Sequence, residues 1–138
     1  MSGPDPAEIW SEVVAWLRVA ETDQRVAMVC LMSDPPIPDA AAFRCQQAAE
    51  KVLKGFLVHA NIDFGKTHNL ESLARVVVSH FPSMAALAAA MEHWTSWSIA
   101  YRYPDMADPE PLPSVDELSR ALEVIARLAD ELRGLGPT

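Results

Sequence analysis

Cysteine, glycine and positive charge are scarce in this chain, and long uncharged apolar runs are missing. Only 2 of the 138 residues are Cys, at positions 30 and 45. Neither has a second Cys or a His a few positions away, which excludes a disulfide framework and a structural zinc site; no metal and no cofactor is expected. The 5 Gly form no phosphate-cradling loop pattern. No window reaches the ~18–20 uncharged apolar residues of a membrane span, because Glu92, His93 and Arg102 interrupt the longest candidate. The opening MSGPDPAEIW has neither a basic nor an apolar leader segment. The expectation is therefore a cytoplasmic, reducing setting without membrane contact. Finally, 11 Lys and Arg face 19 Asp and Glu, a net charge of −8, which disfavours generic coating of DNA or RNA, and no DNA partner is expected.

What is present is enough apolar material for one core: 50% of the residues are hydrophobic and 22% charged, the balance of an ordinary globular domain. The charge is unevenly placed. Residues 1–43 carry seven acids and two bases, and residues 103–138 carry eight acids and three bases. The middle, 44–102, has six bases (Arg44, Lys51, Lys54, Lys66, Arg75, Arg102) against four acids (Glu50, Asp63, Glu71, Glu92). An anion site, if there is one, belongs in this middle stretch.

The 11 Pro fall almost entirely between helical patterns. Asp5 as N-cap with Pro6 in the first turn starts a helix that runs to about Met32, with an apolar row Trp10, Val13, Leu17, Ala20, Ala27, Leu31. The run SDPPIP stops it. Asp39 caps a second helix to about Ala60. A link with Asn61, Gly65 and Thr67 leads to a short third helix over about 69–80, with Leu70, Leu73 and Val77 as core and Val76 as a further candidate. A fourth runs from about Met84 to Tyr101. A proline-rich crossover follows, and Ser114 with Glu117 forms a capping box for the last helix, which ends at Gly134 as C′. No strand alternation or internal repeat is present. The fold expected is all-α, an up-and-down bundle of four to five helices in a single domain over 1–138 with its core at about 5–133.

The second helix carries the most information. At 100° per residue, Cys45, Ala49, Val52, Leu53, Phe56 and Ala60 share one arc. Arg44, Gln47, Lys51 and Lys54 form a row on nearly the opposite side. Such a row suits a phosphate-bearing ligand or an acidic partner, or simply solvates an exposed face. Phe43, Leu57 and Val58 also leave the core arc, which suggests contact with another subunit.

The stretch FRCQQAAEKVLKGFLVHANIDFGKTHNL resembles the signature of HEPN domains, specifically the stand-alone prokaryotic group, where a helix reading aromatic-x-x-QQAAEKALKA precedes a loop ending K-T-H-[D/N]-L. Gln46, Gln47, Ala48, Ala49, Glu50, Lys51 and Lys54 match the helix, and Lys66, Thr67, His68, Asn69 and Leu70 match the loop. Downstream, Tyr101–Asp105 (YRYPD) resembles the R-Y-P that ends the group's fourth helix. The resemblance implies a helical bundle that often dimerises, binding of a nucleotide or RNA, and pairing with a small nucleotidyltransferase as a two-component, toxin–antitoxin-like system. The residues it points to are Arg44, Gln47, Lys51, Lys54, Lys66, His68, Arg102 and Asp105.

The same family contains metal-independent ribonucleases that use an Arg followed four to six residues later by a His. Here YRYPDMADPEP has no His after Arg102. The remaining formal pair is Arg75 and His80, separated by three valines and a serine on the third helix. The main expectation is thus a binding and interaction domain that is not itself an enzyme. The rivals are a ribonuclease using Arg75 and His80, or Arg102, and a ligand-free scaffold. His68 has two readings, as a donor to a bound anion near a helix N-terminus or as a cross-link to a neighbouring helix beside a cap at Thr67 or Asn69. Arg102 and Asp105 either face a ligand or fasten the crossover. Trp94 and Trp97 are expected in the core, and Cys30 and Cys45 as buried thiols.

Overall fold

The computed structural model describes residues 3–98 and 112–137. Within them five α-helices and no strand are present: α1 (Pro6–Met32), α2 (Pro38–His59), α3 (Leu70–His80), α4 (Ala85–Ala90) and α5 (Val115–Arg133). Two 3-10 segments, Pro82–Met84 and Trp94–Ser98, flank the short α4. None of the described helices is long and apolar enough to cross a membrane.

The helix ends follow from side-chain chemistry. The Asp5 carboxylate accepts from the Ala7 amide at 2.9 Å, Asn69 from Ser72 at 3.0 Å and Ser114 from Glu117 at 3.0 Å. Each satisfies one amide that the first turn leaves without an intrahelical partner. Helix α2 ends in a Schellman arrangement: Ile62 N–H donates to Leu57 C=O and Asn61 N–H to Val58 C=O. Asn61 adopts the positive φ of 57° that this turn needs, a conformation asparagine tolerates better than most residues.

Three expectations change. Helix α2 begins at Pro38, and Asp39 sits within its first turn, its carboxylate accepting from the adjacent Ala40 amide. Gly134 ends α5 with φ −64°, an ordinary right-handed conformation that makes no demand for glycine. The expected fourth helix breaks up: α4 is six residues long, and 94–98 is 3-10. There Trp94 and Trp97 are both buried and stack with ring centroids 5.2 Å apart and planes 11° from parallel. A 3-10 turn eclipses positions i and i+3, so it lines up these two rings where an α-helix would offset them.

Helix α2 is the centre of the molecule. It packs against α1, α3, α5 and the 94–98 segment, and only Asp39 of its residues is fully exposed. Gly55 permits the closest approach, since a Cβ there would stand 2.6 Å from Leu132 of α5 and 3.7 Å from Trp16 of α1. Val13, Leu17, Ala20 and Ala27 of α1 meet Cys45, Val52, Leu53 and Phe56 of α2 and Leu118, Ile125, Leu128 and Leu132 of α5 in one core. Val76 and Leu57 exchange their expected places: Val76 is exposed, and Leu57 is buried. Phe43 and Val58 are half-buried.

Candidate functional site

The surroundings of α2 decide what its polar row can do. Two carboxylates lie inside the protein, Asp23 on α1 and Glu50 on α2, each 2% exposed. A buried carboxylate without a partner costs several kcal/mol, and both are met by the cations of the row. Asp23 Oδ1 accepts from Arg44 Nη1 at 2.8 Å, and its Oδ2 accepts from Lys51 Nζ. Glu50 accepts from Lys54 Nζ at 3.4 Å, one turn along the same helix, and from His68 Nδ1 at 3.2 Å.

Lys54 is itself buried and lies 5.6 Å from the ring centres of Trp16 and of Phe64. The two aromatic faces and Glu50 together hold its ammonium in place of water. Gln47 Nε2 donates to Gln46 Oε1 at 2.7 Å, while the Nε2 of the buried Gln46 has no partner among the described residues.

The expectation that Arg44, Gln47, Lys51 and Lys54 form one open face is therefore corrected. Lys54 is 7% exposed by its side chain and Lys51 19%, whereas Arg44 keeps 41%. The row faces α1 and the 60–69 link, because α2 is enclosed and its polar side meets acidic and aromatic residues of its neighbours. What stays open is an edge made of Arg44, half of Gln47 and the tip of Lys51. One buried negative charge anchors two positive ones there, leaving a net positive edge in an acidic protein.

His68 fits the cross-linking reading. Asn69 is the cap of α3, Thr67 Oγ1 accepts from the Asn69 amide at 3.2 Å, and His68 reaches across to Glu50. Its ring nevertheless remains 76% exposed, so it spans from the buried carboxylate to solvent. Lys66 stands exposed in the link with no ion pair among the described residues. Arg102 and Asp105, with the rest of YRYPD, lie outside the described residues.

Arg75 and His80 are not brought together. They are five residues apart on α3, about 140° around the helix. Arg75 pairs with Glu71 at 3.3 Å, and His80 Nδ1 lies 3.0 Å from the neighbouring Ser79 hydroxyl and 3.2 Å from Val76 C=O. No shared substrate-facing geometry results.

Cys45 is buried, with its thiol pushed up to about 12 by burial and, secondarily, by Cys30, so it stays protonated near neutrality and is inert. Cys30 is half-buried. Among the described residues, no group of three or more His, Cys, Asp or Glu is arranged to hold a metal ion.

Sequence reasoning named the cations but not their anchors. Asp23, Glu50, Trp16, Phe64 and Gln46 were outside its candidate set. One signal was available: the apolar row of α1 steps by seven from Ala20 to Ala27, and Asp23 fills the skipped inward position.

The described residues thus form a helical bundle whose central helix carries QQAAEK, with Lys51 held on the buried Asp23 and Glu50 itself buried. The family model of the HEPN domain matches residues 13–135, nearly the whole chain, and the protein belongs to that family. Comparison with curated proteins and with solved structures gave no match. Family membership supports a nucleotide- or RNA-related function in general.

Proposed function

We propose that this chain is a nucleotide- or RNA-binding interaction domain, the non-catalytic member of a pair with a small nucleotidyltransferase in a toxin–antitoxin-like system. The observation that supports it is the Asp23 anchor: one buried carboxylate holds Arg44 and Lys51 in fixed positions, leaving a half-exposed guanidinium and an amide at the surface. Preorganised Arg donors suit phosphate or carboxylate recognition, because little side-chain freedom remains to be lost on binding. Lys66 and His68 extend the set of donors on the link before α3, and Arg102 and Asp105 complete the proposed set.

Lys54 belongs to the fold more than to the ligand, so it is a poor probe. The clean probe is Arg44→Gln with Lys66→Gln, which leaves Lys51 on Asp23. Tagged protein recovered from its own cells is analysed by mass spectrometry for proteins, nucleotides and RNA. The expected result is a nucleotidyltransferase in fixed ratio, or bound nucleotide or RNA, lost or strongly reduced in the double variant while its helical signal and melting are kept. Full retention by the variant, or a wild type that carries neither partner nor nucleic acid, overturns the reading. Metal-independent RNA cleavage abolished by Arg102→Ala would replace it with the ribonuclease reading. The Arg75–His80 geometry gives that alternative no support.

A further inference from the structure

Two hollows adjoin where the start of α1, the end of α2 and the segment after α5 come together. One, of about 660 Å³, is walled by Ile9, Trp10, His59 and Leu135. The other, of about 490 Å³, has Ile9, Val58, Ile62 and Phe64 as its apolar floor. Ile9 belongs to both, and each volume lies in the range of built binding pockets. Their walls are held in place. The Trp10 ring stands edge-on to His59, centroids 6.3 Å apart, and a Cβ on Gly136 would lie 2.2 Å from that ring. Asn61 and Gly65 turn the link with φ of 57° and 61°, and the Asp63 carboxylate accepts from the Gly65 amide at 3.0 Å.

The charges around this groove indicate the occupant. Glu8, Glu12 and Asp63 line the second hollow, and among the described residues no Lys or Arg lines either one. Lys66 follows Gly65 in the link but lines neither. Glu8 and Glu12 are exposed, one turn apart on α1, and make no ion pair among the described residues. Like charges at that spacing disfavour each other, and Glu12 lies beyond the first turn, where an acid would favour the helix. The fold therefore does not call for the pair, whereas a bound cation does. The three acids do not gather as ligands for a metal ion, and the apolar floor asks for an apolar group beside the positive one. A nucleic acid would be repelled here. So would a second copy, which has a net charge of −8 and would bring the same acids to the contact.

We propose that this groove docks a basic segment of a different protein. A large apolar side chain of that segment enters the hollow between Trp10 and Leu135, and a neighbouring Lys or Arg reaches Glu8, Glu12 and Asp63. The groove is separate from the Arg44 edge: Glu12 precedes Asp23, the anchor of Arg44, by eleven residues, or about 16 Å of helix. Either assignment can therefore fail without the other.

The test pans a display library of random 12-residue peptides against the full chain and measures the selected peptides, fluorescently labelled, by polarisation. The expected winners carry Lys or Arg beside a large apolar residue, and bind more weakly as salt rises. Glu8→Gln with Glu12→Lys should weaken them about tenfold or more. Leu135→Lys, at a position already 37% exposed, should do the same from the apolar side. Circular dichroism should show an unchanged helical signal in both variants, while Arg44→Gln should leave peptide binding intact. Failure to select binders, winners without basic residues, or winners that bind both variants as tightly as the wild type overturn the proposal. So does spermidine that binds the chain as tightly as the peptides, which would make the groove a site for small polycations. A wild type that light scattering shows as two chains, split by the winning peptide, also overturns it, because the occupant is then a second copy.

Discussion

Helix α2 and helix α3 use the same kinds of charged residue to opposite ends. On α3, Glu71 and Arg75 form an i,i+4 pair with side chains 62% and 73% exposed, free to exchange their contact for water. On α2, Lys51, Lys54 and Arg44 look equally surface-bound in sequence, yet they close over carboxylates that are 2% exposed. The difference lies in the neighbours. Helix α3 is covered on one side, while α2 is enclosed by α1, α3, α5 and the 94–98 segment. An exposed pair contributes ~0–1 kcal/mol, whereas a buried one matters because removing either partner strands the other.

The largest effect should come from stranding Asp23. Arg44→Met with Lys51→Met removes both of its cations and leaves a buried carboxylate alone, at a cost of ~3–5 kcal/mol at neutral pH. Denaturant unfolding measures this directly. Adding Asp23→Leu to the pair should recover most of the loss, since an apolar set of similar volume needs no partner. A double variant within about 1 kcal/mol of the wild type would mean that water already reaches Asp23 and that α1 and α2 do not enclose it.

The second effect concerns Cys45 in the same seam. Its thiol titrates near 12 in the folded protein against an ordinary 9.0. For an acid whose folded pKa is raised, the associated stability is fully present below the unfolded pKa and is lost as pH rises from there through the folded pKa. The wild type should therefore lose about 1 kcal/mol more than Cys45→Ala between pH 8 and pH 10. Thiol labelling at pH 8 should find Cys30 first and Cys45 at the rate of unfolding. Equal pH slopes for the two proteins would show that the thiol is not enclosed.

Much of this was legible beforehand, and the parts that were not have physical reasons. Asp5, Asn69 and Ser114 announce their helices because capping is local chemistry within three residues. The QQAAEK helix with its KTHNL loop announces the family. The orientation of the cation row was misread because helical period separates polar from apolar positions without saying what lies opposite each. Lys51 meets an acid 28 residues earlier in the chain, a tertiary fact. Even so, the inward position of Asp23 in an otherwise apolar row was a visible mark of a partnered charge. The breakdown of the fourth helix was hidden for a related reason. Trp94 and Trp97 have helical spacing, and only their packing on α2 selects the 3-10 turn that stacks them.

The smallest effect is the sharpest control on the comparison. Arg75→Ala on α3 removes one side of a pair that both partners can replace with water. The Coulomb gain at such exposure is offset by the freedom two long side chains give up, so the change should lie within about 0.5 kcal/mol of the wild type. The same variant tests function, because Arg75 is half of the only formal Arg–His pair among the described residues. If stability and any RNA-related activity both stay unchanged, α3 serves only as packing and solvated surface. If activity falls while stability holds, the 140° separation of Arg75 and His80 is bridged by a second chain supplying the missing side, and α3 then belongs to an interface.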